Sequence, residues 1–312
     1  MPEAPALYVP GPRDRNVRAL GAALPLARRL PTPVTFVMSG GGSHGAVQWG
    51  SLQALSETDI RPDSIIGTSA GALSGSVYAE DPVCGLNRLS YVWAQMNERY
   101  LVGDGSLTRK LISNARSSAL FDNDAELQTL ESIYHARSFE ELALPFAAVA
   151  TDLATGRAKV FDSGALLPAL LATSAIPGML PPVRIDERWY CDGLASANVP
   201  AIPALERGAG SLIVLDTGDR DWGSVSSAPT KVATRVAATL RDHSRNRQLK
   251  EAAKEVPVLV LPTPVDLGAT MDFSESSRAG AHSYSMARQY LTEMALSGSS
   301  ELPPGLYRGA KS

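Results

Sequence analysis

The chain has 312 residues, enough for one large α/β domain with decorations and a substantial buried core. With 44% apolar and 20% charged residues its composition is ordinary and globular, which excludes a wholly disordered or fibrous protein. A net charge of -3, with no Lys/Arg stripe interleaved with aromatics, excludes the electrostatic footprint of a nucleic-acid binder.

Residues 1–33 carry Pro2, Pro5, Pro10, Pro12, Pro25, Pro31 and Pro33 and read as a Pro-rich N-terminal arm with one short helix around residue 20 at most. Arg13, Arg15 and Arg18 before the apolar stretch Ala19 to Ala27 imitate a signal peptide, but Pro25 interrupts it and Arg28-Arg29 follow it, so export is not expected. From Val34 the chain alternates strand and helix: strand 34–38, helix 45–57, strand 63–66, helix 70–79. That alternation predicts parallel βαβ units. Residues 81–142 hold short helical stretches and read as cap helices. Within them Thr108 to Leu120 sets Arg109, Lys110 and Arg116 among Leu107, Leu111, Ile112 and Leu120, an ordinary cap helix whose mildly basic face could also meet lipid. Strand signals return at 146–151 and 158–161, a helix at 165–174, and a hairpin at 183–191 with Asp186-Glu187 at its turn. Residues 211–216 and 256–261 are apolar strands central to the sheet. Between them Val232, Val236 and Leu240 fall at helical spacing with charges opposite, an amphipathic surface helix. A final helix spans 272–296, and residues 298–312 read as a flexible tail. The main domain is therefore residues 34–297.

Gly67-Thr68-Ser69-Ala70-Gly71 follows the apolar run Ser64-Ile65-Ile66 and precedes small helix-compatible residues, which is the pattern of a nucleophile elbow. Glycines two before and two after the serine let the backbone turn sharply, leaving the Ser69 hydroxyl exposed at the head of a helix. A second cluster, Gly40-Gly41-Gly42-Ser43-His44-Gly45, follows the strand Val34–Met38 and opens another helix. Its N–H groups suit an oxyanion. An alcohol is a poor nucleophile and needs a base. The candidate is Asp192 in Tyr190-Cys191-Asp192-Gly193, where a strand ends in an acid followed by a flexible glycine.

These residues resemble the patatin-like phospholipases, which pair a G-G-G-x-x-G loop, a G-T-S-A-G elbow and an Asp-Gly near the end of the domain. The blocks Thr151-Asp152-Leu153-Ala154-Thr155-Gly156, Ala172-Thr173-Ser174-Ala175-Ile176-Pro177-Gly178 and Pro181-Pro182-Val183 extend the resemblance, in order, over about residues 34–261. It implies a three-layer α/β/α fold with a mostly parallel central sheet, and a serine acyl hydrolase with a Ser69/Asp192 dyad. Ser69 would attack the ester carbonyl and Asp192 would accept its proton. Gly40, Gly41, Gly42, Ser43, His44 and Gly45 would form the oxyanion hole, Gly67, Thr68, Ala70 and Gly71 the elbow, and Gly193 the base motif. Two positions depart from the pattern. Leu194 stands where relatives carry Gly or Ala, so a different local loop is expected, and His44 stands where Arg or Lys is common, supplying a weaker and pH-dependent field.

Other readings stand beside this one. His243 or His282 could complete a Ser/His/Asp triad of α/β-hydrolase type, although His243 lies on a charged helix face. Gly40, Gly42 and Gly45 also satisfy G-x-G-x-x-G, which would suit a non-catalytic module holding a nucleotide or anionic headgroup. The acid expected at the end of the second strand is replaced there by Gly67-Thr68-Ser69. Cys84 and Cys191 are too few for a disulfide framework and no spacing suggests a metal, so no cofactor or metal is expected and a reduced, cytoplasmic chain is. No run reaches the ~18 apolar residues of a membrane span. The expected partners are an acyl lipid or ester substrate and, peripherally, a membrane surface.

Overall fold

The structure, a computed structural model, describes residues 25–95, 124–218, 229–265, 267, 272–298 and 300–309. Its centre is a nine-stranded sheet: β1 (Val34–Met38), β2 (Ser64–Thr68), β3 (Phe146–Asp152), β4 (Ala158–Phe161), β5 (Val183–Ile185), β6 (Arg188–Asp192), β7 (Ser211–Leu215), β8 (Pro257–Val260) and β9 (Gly305–Arg308). The order is β5-β6-β3-β2-β1-β7-β8-β9, with β4 paired to β3. Every pairing from β3 across to β9 is parallel, while β4, β5 and β6 run antiparallel at one end. The fully buried runs VTFVM in β1 and SLIVL in β7 explain their central places, because strands covered on both faces need apolar residues at nearly every position.

Helices cover both faces. Phe36, Met38 and Ile65 point into a core shared with α1 (Ala46–Ser56), α2 (Ala70–Glu80), α3 (Gly85–Gln95), α4 (Asp124–Ile133), α5 (Leu166–Ser174) and α9 (Ser276–Leu296). Val37, Ile66, Val149 and Val214 point the other way, onto α6 (Leu194–Ala197), α7 (Ala201–Glu206) and α8 (Pro229–Glu255). The predicted three layers are therefore observed, and the predicted strands and helices of 34–79 and 146–215 fall within a few residues of the observed ones. On the first face α1 and α9 cross at Gly50 and Gly280. A side chain at Gly50 would collide with the Gly280 carbonyl, and Trp49 lies over Gly280, so this close crossing depends on two missing side chains.

Three expectations change. The tail is not loose throughout: Gly305–Arg308 pairs in parallel with β8, supplying the edge that Pro257–Val260 needs, a role hidden by the Pro and Gly around it. The end of the Pro-rich arm is structured too, since Leu26 and Leu30 are buried and Arg29 donates to the Ser300 and Met294 carbonyls at 2.9 and 2.7 Å. In α8 the stripe Val232, Val236 and Leu240 is exposed at 44%, 52% and 66%, and the helix docks instead through Ala238, Arg245, Gln248, Leu249 and Ala252. The packing stripe is partly polar because Arg245 enters the interior to pair with Asp216, so periodicity of apolar residues pointed to the wrong face. The predicted segment Thr108 to Leu120 lies outside the described residues.

Register along β3 positions the site. β4 pairs with residues 148–151 of β3, while β2 pairs with 146–149 and β6 with 150–152. The overlaps put β2 and β6 on the same edge, end to end. Thr68 faces Val149 and Asp192 faces Ala150, so the residue after β2 and the last residue of β6 meet.

Candidate active site

Ser69 is that residue after β2. Its backbone is at φ 53°, ψ -127°, a region that L-residues rarely adopt and that costs about 1–3 kcal/mol. The surrounding glycines make the turn feasible. A side chain at Gly67 would lie 2.6 Å from the Ala72 nitrogen, and one at Gly71 would collide with the Met38 carbonyl at the end of β1. Thr68 donates to the Ala197 carbonyl at 2.8 Å, and Ala70 begins α2. The Ser69 N–H donates to Thr173 Oγ1 at 2.9 Å, and the same Thr173 hydroxyl donates to the Val149 carbonyl, which ties the strained residue to β3.

The Ser69 hydroxyl donates to Asp192 Oδ2 at 2.7 Å. Both residues are buried, Asp192 completely. Burial pushes the Asp192 carboxyl up to about 7, against the bonds from Ser69 and from the Leu194 N–H, which donates to Oδ1 at 2.8 Å. The Leu194 departure thus has a physical resolution. Gly193 has φ -65° and ψ -9°, and Leu194 is the first residue of α6 with no positive φ, so the position needs an amide and not a glycine. Gly193 itself must lack a side chain, which would collide with the Val149 carbonyl. Cys191 is a buried residue of β6, as its strand position suggests, and burial pushes its thiol up.

The glycine cluster sits against this pair. A Cβ at Gly40 would fall 3.1 Å from that of Ser69 and 2.7 Å from Asn198 Oδ1. Gly42 has φ 58° and opens a 3-10 turn, Gly42–Gly45, that leads into α1. A side chain at Gly45 would meet Trp93 at 2.6 Å. The six predicted oxyanion residues are not equivalent. The Gly40 N–H donates to the Asn198 carbonyl at 3.1 Å and the His44 N–H to the Gly41 carbonyl at 3.2 Å, so neither amide is open to a ligand. Among the described residues the N–H groups of Gly41 and Gly42 make no hydrogen bond. Ser43 and His44 are buried. The lone small polar residues that hold this geometry, Thr173, Asn198 and Thr217, carry no local pattern. Thr173 lies in a block quoted for the resemblance, but its bond to Ser69 depends on tertiary packing.

Of the four histidines, His135, His243 and His282 are exposed, and only His44 is buried. Ser69 and Asp192 touch each other with no imidazole between them. Among the described residues no three His, Cys, Asp or Glu side chains are grouped to hold a metal, and no helix is long and apolar enough to cross a membrane.

Against known families, the sequence matches the profile described as patatin-like phospholipase over residues 36–205, more than half of the chain. The chain belongs to the patatin-like phospholipase family. The match spans the glycine loop, the elbow and Asp192. Its relatives include mouse patatin-like phospholipase domain-containing protein 7, 31% identical over 63% of this chain and 14% of that protein. Another is lysophospholipase nte1 of Emericella nidulans, 26% identical over 89% of this chain and 19% of that protein. This patatin-like chain thus spans only a small part of the length of those curated relatives. Among solved structures, VipD from Legionella pneumophila is similar at a TM-score of 0.48 and 14% identity, over 85% of this chain and 67% of that one.

Proposed function

We propose that this patatin-like chain is a serine acyl hydrolase that cleaves carboxylic esters of lipids through Ser69 and Asp192. The observation that carries the reading is the 2.7 Å bond from the Ser69 hydroxyl to a fully buried carboxylate at a strained elbow. Strain of this kind persists only where the surroundings enforce it, and Thr173 does so here. Relatives named as phospholipases and lysophospholipases support an acyl lipid as the substrate class.

In the first half-reaction Ser69 Oγ attacks the ester carbonyl carbon as its proton passes to Asp192 Oδ2. The carbonyl oxygen becomes an oxyanion held by the Gly41 and Gly42 N–H groups. Collapse breaks the bond to the leaving alcohol, which takes the proton from Asp192, and the acyl group remains on Ser69. Water then gives its proton to Asp192 and attacks the acyl-enzyme, and the acid leaves as Ser69 recovers the proton. A carboxylate in water is far too weak a base for a serine, and burial raises its basicity. The oxyanion donors supply the larger share, since losing one costs about 3–4 kcal/mol of barrier. The step as written uses only Ser69, Asp192 and backbone N–H groups, so a chelator should leave turnover intact.

The test is hydrolysis of a short-chain nitrophenyl ester and of a panel of phospholipids, lysophospholipids and glycerides. Ser69→Ala and Asp192→Asn are each expected to lower kcat by roughly 10³-fold or more, and His282→Ala to leave it within about twofold. Loss of activity in the histidine variant alone would point to a triad. Nucleotide binding by a protein that never hydrolyses esters would point to the anion-binding module.

A further inference from the structure

Gly40 is gripped at both of its peptide groups. Its N–H donates to the Asn198 carbonyl at 3.1 Å. Its carbonyl accepts from Thr217 Oγ1 at 2.8 Å and from Asn198 Nδ2 at 3.3 Å. Thr217, just past β7, is itself fixed: its N–H donates to Ser39 Oγ at 2.8 Å, and the Ser39 hydroxyl donates back to Thr217 Oγ1 at 3.2 Å. Ser39, Asn198 and Thr217 are all buried. Beneath them Gln48 Nε2 donates to the Ser39 and Leu215 carbonyls at 2.8 and 3.0 Å, joining the ends of β1 and β7.

The Gly40 carbonyl belongs to the same planar, trans peptide as the Gly41 N–H, and in such a unit the C=O and N–H bonds point in opposite directions. Fixing one therefore aims the other. A glycine-glycine peptide has little intrinsic resistance to flipping, because neither residue has a Cβ to restrict its φ and ψ. Two donors on its carbonyl supply that resistance. Resting on the acyl-hydrolase reading of Ser69, we infer that Thr217 and Asn198 are positioning residues. They clamp the Gly40 carbonyl so that the Gly41 N–H faces the developing oxyanion. The clamp also links the base to the hole, because Asn198 follows Asp192 by one short helix, α6. The excluded side chain at Gly40 has the same origin: the clamp brings Asn198 Oδ1 within 2.7 Å of where a Cβ would stand.

The test compares Thr217→Val, which keeps the shape and removes the donor, with Thr217→Ser, which restores it, and with Thr217→Ala should valine disturb packing. With a nitrophenyl ester, Thr217→Val is expected to lower kcat about 10- to 100-fold with KM within about twofold, because the lost contact matters only once the oxyanion forms. Thr217→Ser should recover to within about threefold of wild type. The pH at half-maximal activity, set by Asp192, should not move in either variant. Thr217→Val with wild-type kcat, or with a loss that serine does not rescue, overturns the clamp while the enzyme reading stands. A wild-type protein that neither hydrolyses the ester nor reacts with a fluorophosphonate overturns both.

Discussion

At the scale of single residues, the proposed base Asp192 is expected to set the pH behaviour. Its carboxyl, pushed up to about 7 by burial, must be ionised to accept a proton, so kcat/KM should fall about tenfold per pH unit below that value. Stability runs the opposite way. A carboxyl raised above its unfolded value favours the folded state only while protonated, so its cost is absent near pH 4, grows as pH rises towards 7 and is complete above it. Asp192→Asn should therefore raise Tm by a few degrees at pH 8, and the gain should shrink as pH is lowered towards 5. A gain independent of pH would contradict this assignment. Thr173 is a second residue-scale lever. Thr173→Val removes the acceptor that holds the Ser69 N–H, and is expected to cost about tenfold in kcat, with Thr173→Ser close to wild type. Ser69 and Asp192 were legible because an elbow and an Asp-Gly are short-range patterns. Thr173, Asn198 and Thr217 were not, because a single Thr or Asn has meaning only through partners 104, 158 and 177 positions away.

At the scale of elements, the central strands announce themselves by unbroken apolar runs, and β5–β6 by two short strands around a two-residue turn. The turn residues Asp186 and Glu187 adopt the positive φ that a tight hairpin needs. α8 misled because its docking face includes Arg245 and Gln248, residues a hydrophobic stripe cannot register. β9 was hidden for a different reason: four residues among prolines and glycines have no periodicity to read, and only the open edge of β8 calls for them. Deleting residues 305–312 should expose that edge, lower Tm by several degrees and increase light scattering on heating. Unchanged Tm and scattering would mean that β9 adds nothing to the sheet.

At the scale of the whole molecule, the site lies where the sheet order reverses direction. β2 lies on one side of β1 and β7 on the other, so three neighbouring carboxyl ends come together at the point where the strand order reverses. The end of β1 supplies the glycine loop, the end of β2 supplies Ser69, and the end of β7 supplies Thr217. The antiparallel strand β6 adds Asp192 by taking over the edge of β3 that β2 vacates. Alternating strands and helices foretold this sheet, but not that β6 would continue the line of β2, since register between distant strands leaves no local trace. The most direct test of the account is mass spectrometry of the protein quenched during turnover of a lysophospholipid. It predicts one acyl group on the peptide containing Ser69, accumulating in wild type and absent from Ser69→Ala. An acyl group on another residue, or undiminished hydrolysis by Ser69→Ala, would contradict it.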